Sequence, residues 1–180
     1  MATMTPDDPH GLAPFVREIP DWPKPGVSFK DITPLLADAR AFAATVDRLA
    51  DHFIGQGITT VVGIEARGFV IAGAVAHRLG AGFVPVRKPN KLPWQTEIEH
   101  YELEYGTGHL EIHRDAIAPG ARVVIVDDVI ATGGTAAATV RLVETLGGTV
   151  VGLGFIATLA YLGGAELLAG HEHVSLITYR

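Results

Sequence analysis

Apolar residues recur along the chain in two rhythms that take turns. Phe42, Val46, Leu49 and Phe53 repeat at helical spacing and predict an amphipathic helix over about 40–55. The β-branched run from Thr59 to Ile64 predicts a buried strand. A second helix is expected over about 68–79, stopped by Gly80, and a strand from Gly82 to Val86. Further on, Val123 to Val126 is unbroken in apolar content, and a helix is expected from Thr135 to Leu146, ended by Gly147 and Gly148. A strand from Thr149 to Ile156, a short helix over about 163–169 and a last strand from Val174 to Tyr179 complete the pattern. Strands alternating with helices predict an α/β fold: an open, mainly parallel, twisted sheet with helices on both faces. Ligands of such sheets sit past the carboxyl ends of the strands.

Two stretches break the rhythm. Phe15 to Leu36 carries Pro20, Pro23, Pro25 and Pro34 and is expected to be irregular, with a short extended piece from Val27 to Lys30. Residues 87–121 are polar, contain Pro89, Pro93, Gly106 and Gly108, and lack a long apolar face. A segment of that kind is usually functional or mobile, and His100 to Tyr105 with His109 to His113 would form its hairpin. Residues 1–12 are expected as a frayed tail, and 1–180 as a single domain.

Composition narrows the choice of partners. Of 180 residues 48% are apolar, enough for a globular core, yet no apolar run reaches the roughly 18 residues of a membrane span. The polar, acidic start lacks a signal-peptide layout, and the absence of cysteine removes disulfide, thiolate and Cys-metal chemistry; both favour the cytoplasm. A formal net charge of −6 argues against nucleic acid as partner but leaves room for a small anion in a local basic pocket. Gly152, Gly154 and Ala157 fit a dinucleotide-binding pattern but come too late for one, and His171–Glu172–His173 lacks a further ligand for a metal.

The chemistry concentrates after the run Val123–Val126. Two acids, Asp127 and Asp128, close that strand, and Ala131–Thr132–Gly133–Gly134–Thr135 leads into a helix. Free N–H groups at a helix start, beside glycines that let the chain curl closely, make an anion nest, and the threonine hydroxyls add donors. A phosphate there conflicts with two carboxylates unless the acids face something else. Sugar hydroxyls or a cation would do. A ligand with a phosphate and vicinal hydroxyls, such as a ribose 5-phosphate, satisfies both features.

The thirteen residues from Val123 to Thr135 resemble the signature of the type I phosphoribosyltransferases, which use phosphoribosyl pyrophosphate (PRPP). The resemblance runs from about Pro20 to Tyr179 and is greatest to the adenine-using branch. It implies that residues 131–135 bind the 5′-phosphate and that Asp127 and Asp128 bind the ribose. Glu65–Ala66–Arg67–Gly68 resembles the branch's pyrophosphate loop, and Arg87, Lys88 and Lys91 match its basic run, whose first arginine often reaches the partner subunit's site. Residues 13–36 hold the branch's base-binding segment, with Phe29 as the ring, the backbone of Ser28 and Lys30 on the base edge and Val129 on the other face. Lys30 stands where arginine is common. Residues 87–121 would be a lid that excludes water, with Glu104 and Tyr105 near the reacting centre.

The resemblance implies the conversion of adenine and PRPP to AMP and pyrophosphate through an oxocarbenium-like sugar, by a homodimer. Arg67 and the basic run would stabilise the departing charge, and Glu104 would take or relay the base's proton, with Tyr105 helping to close the site. Mg²⁺ is implied as cofactor, held mainly by PRPP, because the leaving group is multiply charged. Two alternatives remain at this stage: a 6-oxopurine as the base, or a PRPP-binding regulatory domain.

Overall fold

A computed structural model describes residues 6–102 and 107–180. Its frame is a five-stranded, wholly parallel sheet in the order β4 (Gly82–Val86), β3 (Thr60–Ile64), β7 (Arg122–Ile130), β8 (Thr149–Leu159), β9 (His173–Tyr179). Among the described residues four α-helices accompany it: α1 (Thr33–Ala37), α2 (Ala39–Phe53), α3 (Arg67–Leu79) and α4 (Gly134–Thr145). The expected open parallel sheet with helices on both faces is therefore present. On one face, Leu49 and Phe53 of α2 and Ile71 and Val75 of α3 pack with Val124, Val126 and Ile156 of the sheet. On the other, Val140, Leu142 and Val143 of α4 pack with Val123, Ile125 and Leu153.

Local chemistry accounts for the element ends. Asp38 caps α2, its carboxylate accepting from the N–H groups of Arg40 (3.0 Å) and Ala41 (2.8 Å). Gly80 ends α3 in the left-handed region at φ 67°. The glycines of β8 have a packing role: a Cβ on Gly152 would stand 2.8 Å from the Phe53 ring, so the bare backbone lets α2 seat closely.

The chain winds outward from β3 in both directions. After β3 it crosses to β4 on one side, returns to β7 on the other, and continues to β8 and β9. The strand order reverses between β3 and β7, which is where a sheet of this kind opens a crevice at its carboxyl edge.

Several expectations are corrected. β7 does not end at Val126: it stays paired with β8 through Ile130, so Asp127 and Asp128 lie within the strand. Phe15–Leu36 is less irregular than its prolines suggest. It holds an antiparallel pair of β1 (Arg17–Pro20) with β2 (Ser28–Asp31) and all but the last residue of α1. Residues 7–12 are not frayed: Asp7 bridges to Thr178 of the edge strand β9, Asp8 accepts from Leu12 and Ala13 N–H, and Leu12 is buried. Residues 87–121 do own part of a core. The hairpin of β5 (Thr96–Glu102) and β6 (Thr107–His113) buries Leu110 and Ile112 beside α4, and Arg141 of α4 pairs with Glu99. Leu103, Glu104, Tyr105 and Gly106, between β5 and β6 in sequence, lie outside the described residues.

Candidate functional site

Four separated segments meet at the crevice between β3 and β7. The turn after β3 carries Glu65–Ala66–Arg67–Gly68, β7 carries Asp127 and Asp128, the end of β4 leads into Arg87 and Lys88, and β2 brings Phe29. Arg67 ties three of them. Its Nε donates to Asp128 Oδ2, and its guanidinium lies 5.2 Å from the centre of the Phe29 ring. Asp128 is 6% exposed, so its charge needs this partner. Phe29 in turn takes the edge of Trp22 at 4.4 Å between centroids.

Asp127 lies against the start of α3. A Cβ on Gly68 would stand 2.6 Å from Asp127 Oδ1 and 3.2 Å from Val126 O, so only a glycine lets helix and strand approach this closely. Burial lifts the Asp127 carboxyl well above its ordinary range, and the Asp128 charge beside it pushes the same way. The Asp128 N–H, which donates to Asp127 Oδ1 at 2.9 Å, and the Arg67 charge pull it back only in part.

Glu65 organises the opposite wall. It accepts from Lys88 N–H at 3.0 Å and from Arg87 Nε at 3.3 Å, while Arg87 Nη1 donates to Lys91 O at 3.2 Å. Burial alone would raise the Glu65 carboxyl. The hydrogen bonds from Lys88 and Arg87 and the charges of both outweigh it, and the carboxyl is held below its ordinary range. The Lys88 and Lys91 side chains are exposed.

On β2, Ser28 and Lys30 share a face opposite that of Phe29. Lys30 is buried, with Nζ 3.2 Å from Glu18 Oε1 and 4.5 Å from the centre of the Tyr179 ring, and it also donates to Ser28 Oγ. This cluster props the strand from behind and leaves its backbone edge and Phe29 toward the crevice. Val129 is half-buried against the core that contains α2 and α3.

Ala131, Thr132, Gly133, Gly134 and Thr135 curl from β7 into α4. Gly133, at the N-cap, has φ 79° and no side chain to cap the first-turn N–H groups of the helix. Those donors, the partial positive charge of the helix start and two threonine hydroxyls form a cradle suited to an anion. Gly164 lies directly behind this loop, in the 3-10 turn Gly164–Leu168, and sequence reasoning missed it. The doublet Gly163–Gly164 was its only signal, and it read as a helix start.

The described residues thus bring together Phe29, Glu65, Arg67, Gly68, Arg87, Asp127 and Asp128, with the loop of 131–135 continuing from β7. Adjacent acids, an arginine on a tight turn and a free helix start can hold a sugar diol and two separate anionic groups. No helix among the described residues is long and apolar enough to cross a membrane.

The family model described as phosphoribosyl transferase domain matches residues 28–165. Adenine phosphoribosyltransferases from Roseiflexus sp. and Alkaliphilus metalliredigens are 52% and 56% identical, over 93% and 91% of this chain and 98% and 96% of their own lengths. The crystal structure of the adenine phosphoribosyltransferase from Thermoanaerobacter pseudethanolicus superposes with a TM-score of 0.91 at 51% identity, covering 93% of this chain and 98% of that one. The Giardia lamblia enzyme complexed with 9-deazaadenine gives 0.89 at 33% identity, covering 94% and 96%.

Proposed function

The chain belongs to the phosphoribosyl transferase domain family, and from that premise we propose how its crevice performs the reaction. The protein is a purine-salvage transferase: it moves the phosphoribosyl group of PRPP to adenine, giving AMP and pyrophosphate. The observation that carries the reading is the span of Arg67 from Asp128 to Phe29, which puts the acids, the pyrophosphate-side turn and the base-side ring within one side chain's reach.

In the proposed complex the 5′-phosphate rests on the N–H groups and hydroxyls of residues 131–135. Asp127 and Asp128 accept from the ribose hydroxyls, and Arg67 exchanges Asp128 for the pyrophosphate oxygens. Glu65 aims Arg87 at the same oxygens, with Ala66, Gly68, Lys88 and Lys91 around them. Adenine lies on Phe29, its edge on the backbone of Ser28 and Lys30 and its other face toward Val129. The bond from C1′ to the pyrophosphate oxygen breaks with its electron pair going to the leaving group. The bond from C1′ to adenine N9 forms, and the N9 proton passes to a base, a role we assign to Glu104 with Tyr105 closing the site. Positive charge on the sugar is favoured by Asp128 and by Asp127 in its ionised form.

Asp127 and Asp128 could offer oxygen to Mg²⁺, but two carboxylates are too few to encircle it, so the ion's other ligands would be PRPP oxygens. When bound it neutralises charge on the leaving group. Residues 1–180 would act as one domain in which 13–36 serve the base and the hairpin region of 87–121 is the lid. A homodimer belongs to the proposal. It is supported by the edge strand β4, where Phe83 is 40% exposed beside α3, whose Val70 is 50% exposed. A cytoplasmic location belongs to it too, supported by the cysteine-free composition.

The test is pyrophosphate release from PRPP and Mg²⁺ with adenine, hypoxanthine or xanthine. Release with adenine well above the others is expected. Release only with a 6-oxopurine would change the substrate, and PRPP binding without release would leave a regulatory domain.

A further inference from the structure

The loop of 131–135 is rich in glycine and threonine, so something must hold its N–H groups in a phosphate-binding arrangement before the ligand arrives. The N-cap of α4, Gly133, has no side chain to do this. The support is Gly164, 31 residues beyond Gly133 in the chain. A Cβ built on Gly164 would stand 2.1 Å from Ala131 O and 2.6 Å from both Gly133 N and Thr132 C. A Cβ built on Gly133 would stand 2.1 Å from Gly164 O and 3.1 Å from Gly164 Cα. The two backbones are therefore in contact with no space for a side chain on either. Gly164 is buried, and Leu168 at the other end of its 3-10 turn is 1% exposed in the core beneath α4, so the turn is itself anchored. Gly163 aims it, at φ 68°, and where its Cβ would be it meets only the Glu166 carboxyl, in ordinary contact at 3.9 Å.

We propose that Gly164 is a positioning residue for the 5′-phosphate: its backbone is the rear wall that keeps the loop open toward the ligand. The proposal rests on the reading of 131–135 as the phosphate cradle. It makes phosphate recognition depend on an element between β8 and β9.

Gly164→Ala adds one methyl group that neither neighbour can accept, and the loop backbone must move. AMP and adenosine differ only by the phosphate, so their affinity ratio isolates the loop. Titration calorimetry of both ligands is to be run on the wild-type protein, Gly164→Ala and Gly163→Ala. Gly163→Ala strains the turn without adding an atom near the loop. In the wild type AMP should bind at least tenfold tighter than adenosine. In Gly164→Ala that ratio should fall at least tenfold with adenosine affinity held within twofold, and KM for PRPP should rise while KM for adenine does not. Gly163→Ala should lower the ratio in the same direction by a smaller factor, and it decides the matter if Gly164→Ala does not fold. A wild-type ratio near one would overturn the phosphate cradle, and the brace with it. A normal wild-type preference that survives in the variants, or an equal loss for both ligands, would overturn the brace alone.

Discussion

Gly68 is the point at which α3 and the acidic pair can be tested against each other. It sits in the first turn of α3 with no left-handed backbone angle, so helix propensity alone says that Gly68→Ala should stabilise the protein by about 1 kcal/mol. The geometry says the reverse. The new Cβ would stand 2.6 Å from Asp127 Oδ1, and to reach the 3.4 Å of ordinary contact the carboxylate or the helix must retreat by roughly 0.8 Å. Overfilling a packed contact costs about 1–3 kcal/mol. Subtracting the propensity gain leaves a net loss of about 1 kcal/mol, or roughly 2–4 °C in Tm for a chain of this size. A carboxylate displaced on that scale should also lower kcat/KM for PRPP by about 10²-fold. Denaturant melts and initial rates of pyrophosphate release read both numbers. A variant more stable than the wild type by about 1 kcal/mol with unchanged kcat/KM would refute the placement of Asp127 against α3.

Three further outcomes are expected. Asp128→Ala should lose PRPP binding and turnover while remaining folded by circular dichroism, and near-normal turnover would remove Asp128 from the ribose. Asp127 has a carboxyl raised by burial, so its contribution to stability is present below the ordinary carboxyl pKa of about 4 and is lost as pH rises through the folded value. Asp127→Asn should therefore be more stable than wild type at neutral pH, with the gap closing below about pH 4 in denaturant melts; a pH-independent difference would contradict the buried placement. Glu104→Gln should lower kcat by about 10²-fold in steady-state rates, whereas a rise in KM alone would make Glu104 a binding group.

How much of this was legible in the sequence depended on how local each feature is. The core strands announced themselves because burial on both faces demands unbroken apolar runs, as at Val123–Val126. The end of β7 did not. Asp127 and Asp128 read as a stop, but the partner strand β8 continues alongside and keeps the ladder paired to Ile130. Prolines hid β1 and α1. Pro20 ends its strand and Pro34 occupies the first turn of its helix, two positions that tolerate the missing N–H. The tail was misjudged because its anchor, Thr178, is at the far end of the chain.

The site divides in the same way. The loop of 131–135 and the acids before it lie within nine consecutive residues, so residue chemistry alone suggested a phosphate beside a diol. The salt bridge from Arg67 to Asp128 spans 61 residues, and nothing in either segment announces it. The Lys30 cluster with Glu18 and Tyr179, and the contact of Gly164 with Gly133, are likewise products of the fold.

A crystal structure of the protein with PRPP and Mg²⁺ tests the assignment most directly. The account predicts the ribose hydroxyls within hydrogen-bond distance of Asp127 and Asp128, Arg67 released from Asp128 toward the pyrophosphate, and the 5′-phosphate on the N–H groups of residues 132–135. A sugar diol lying away from both carboxylates, with the Arg67–Asp128 pair still closed, would contradict it.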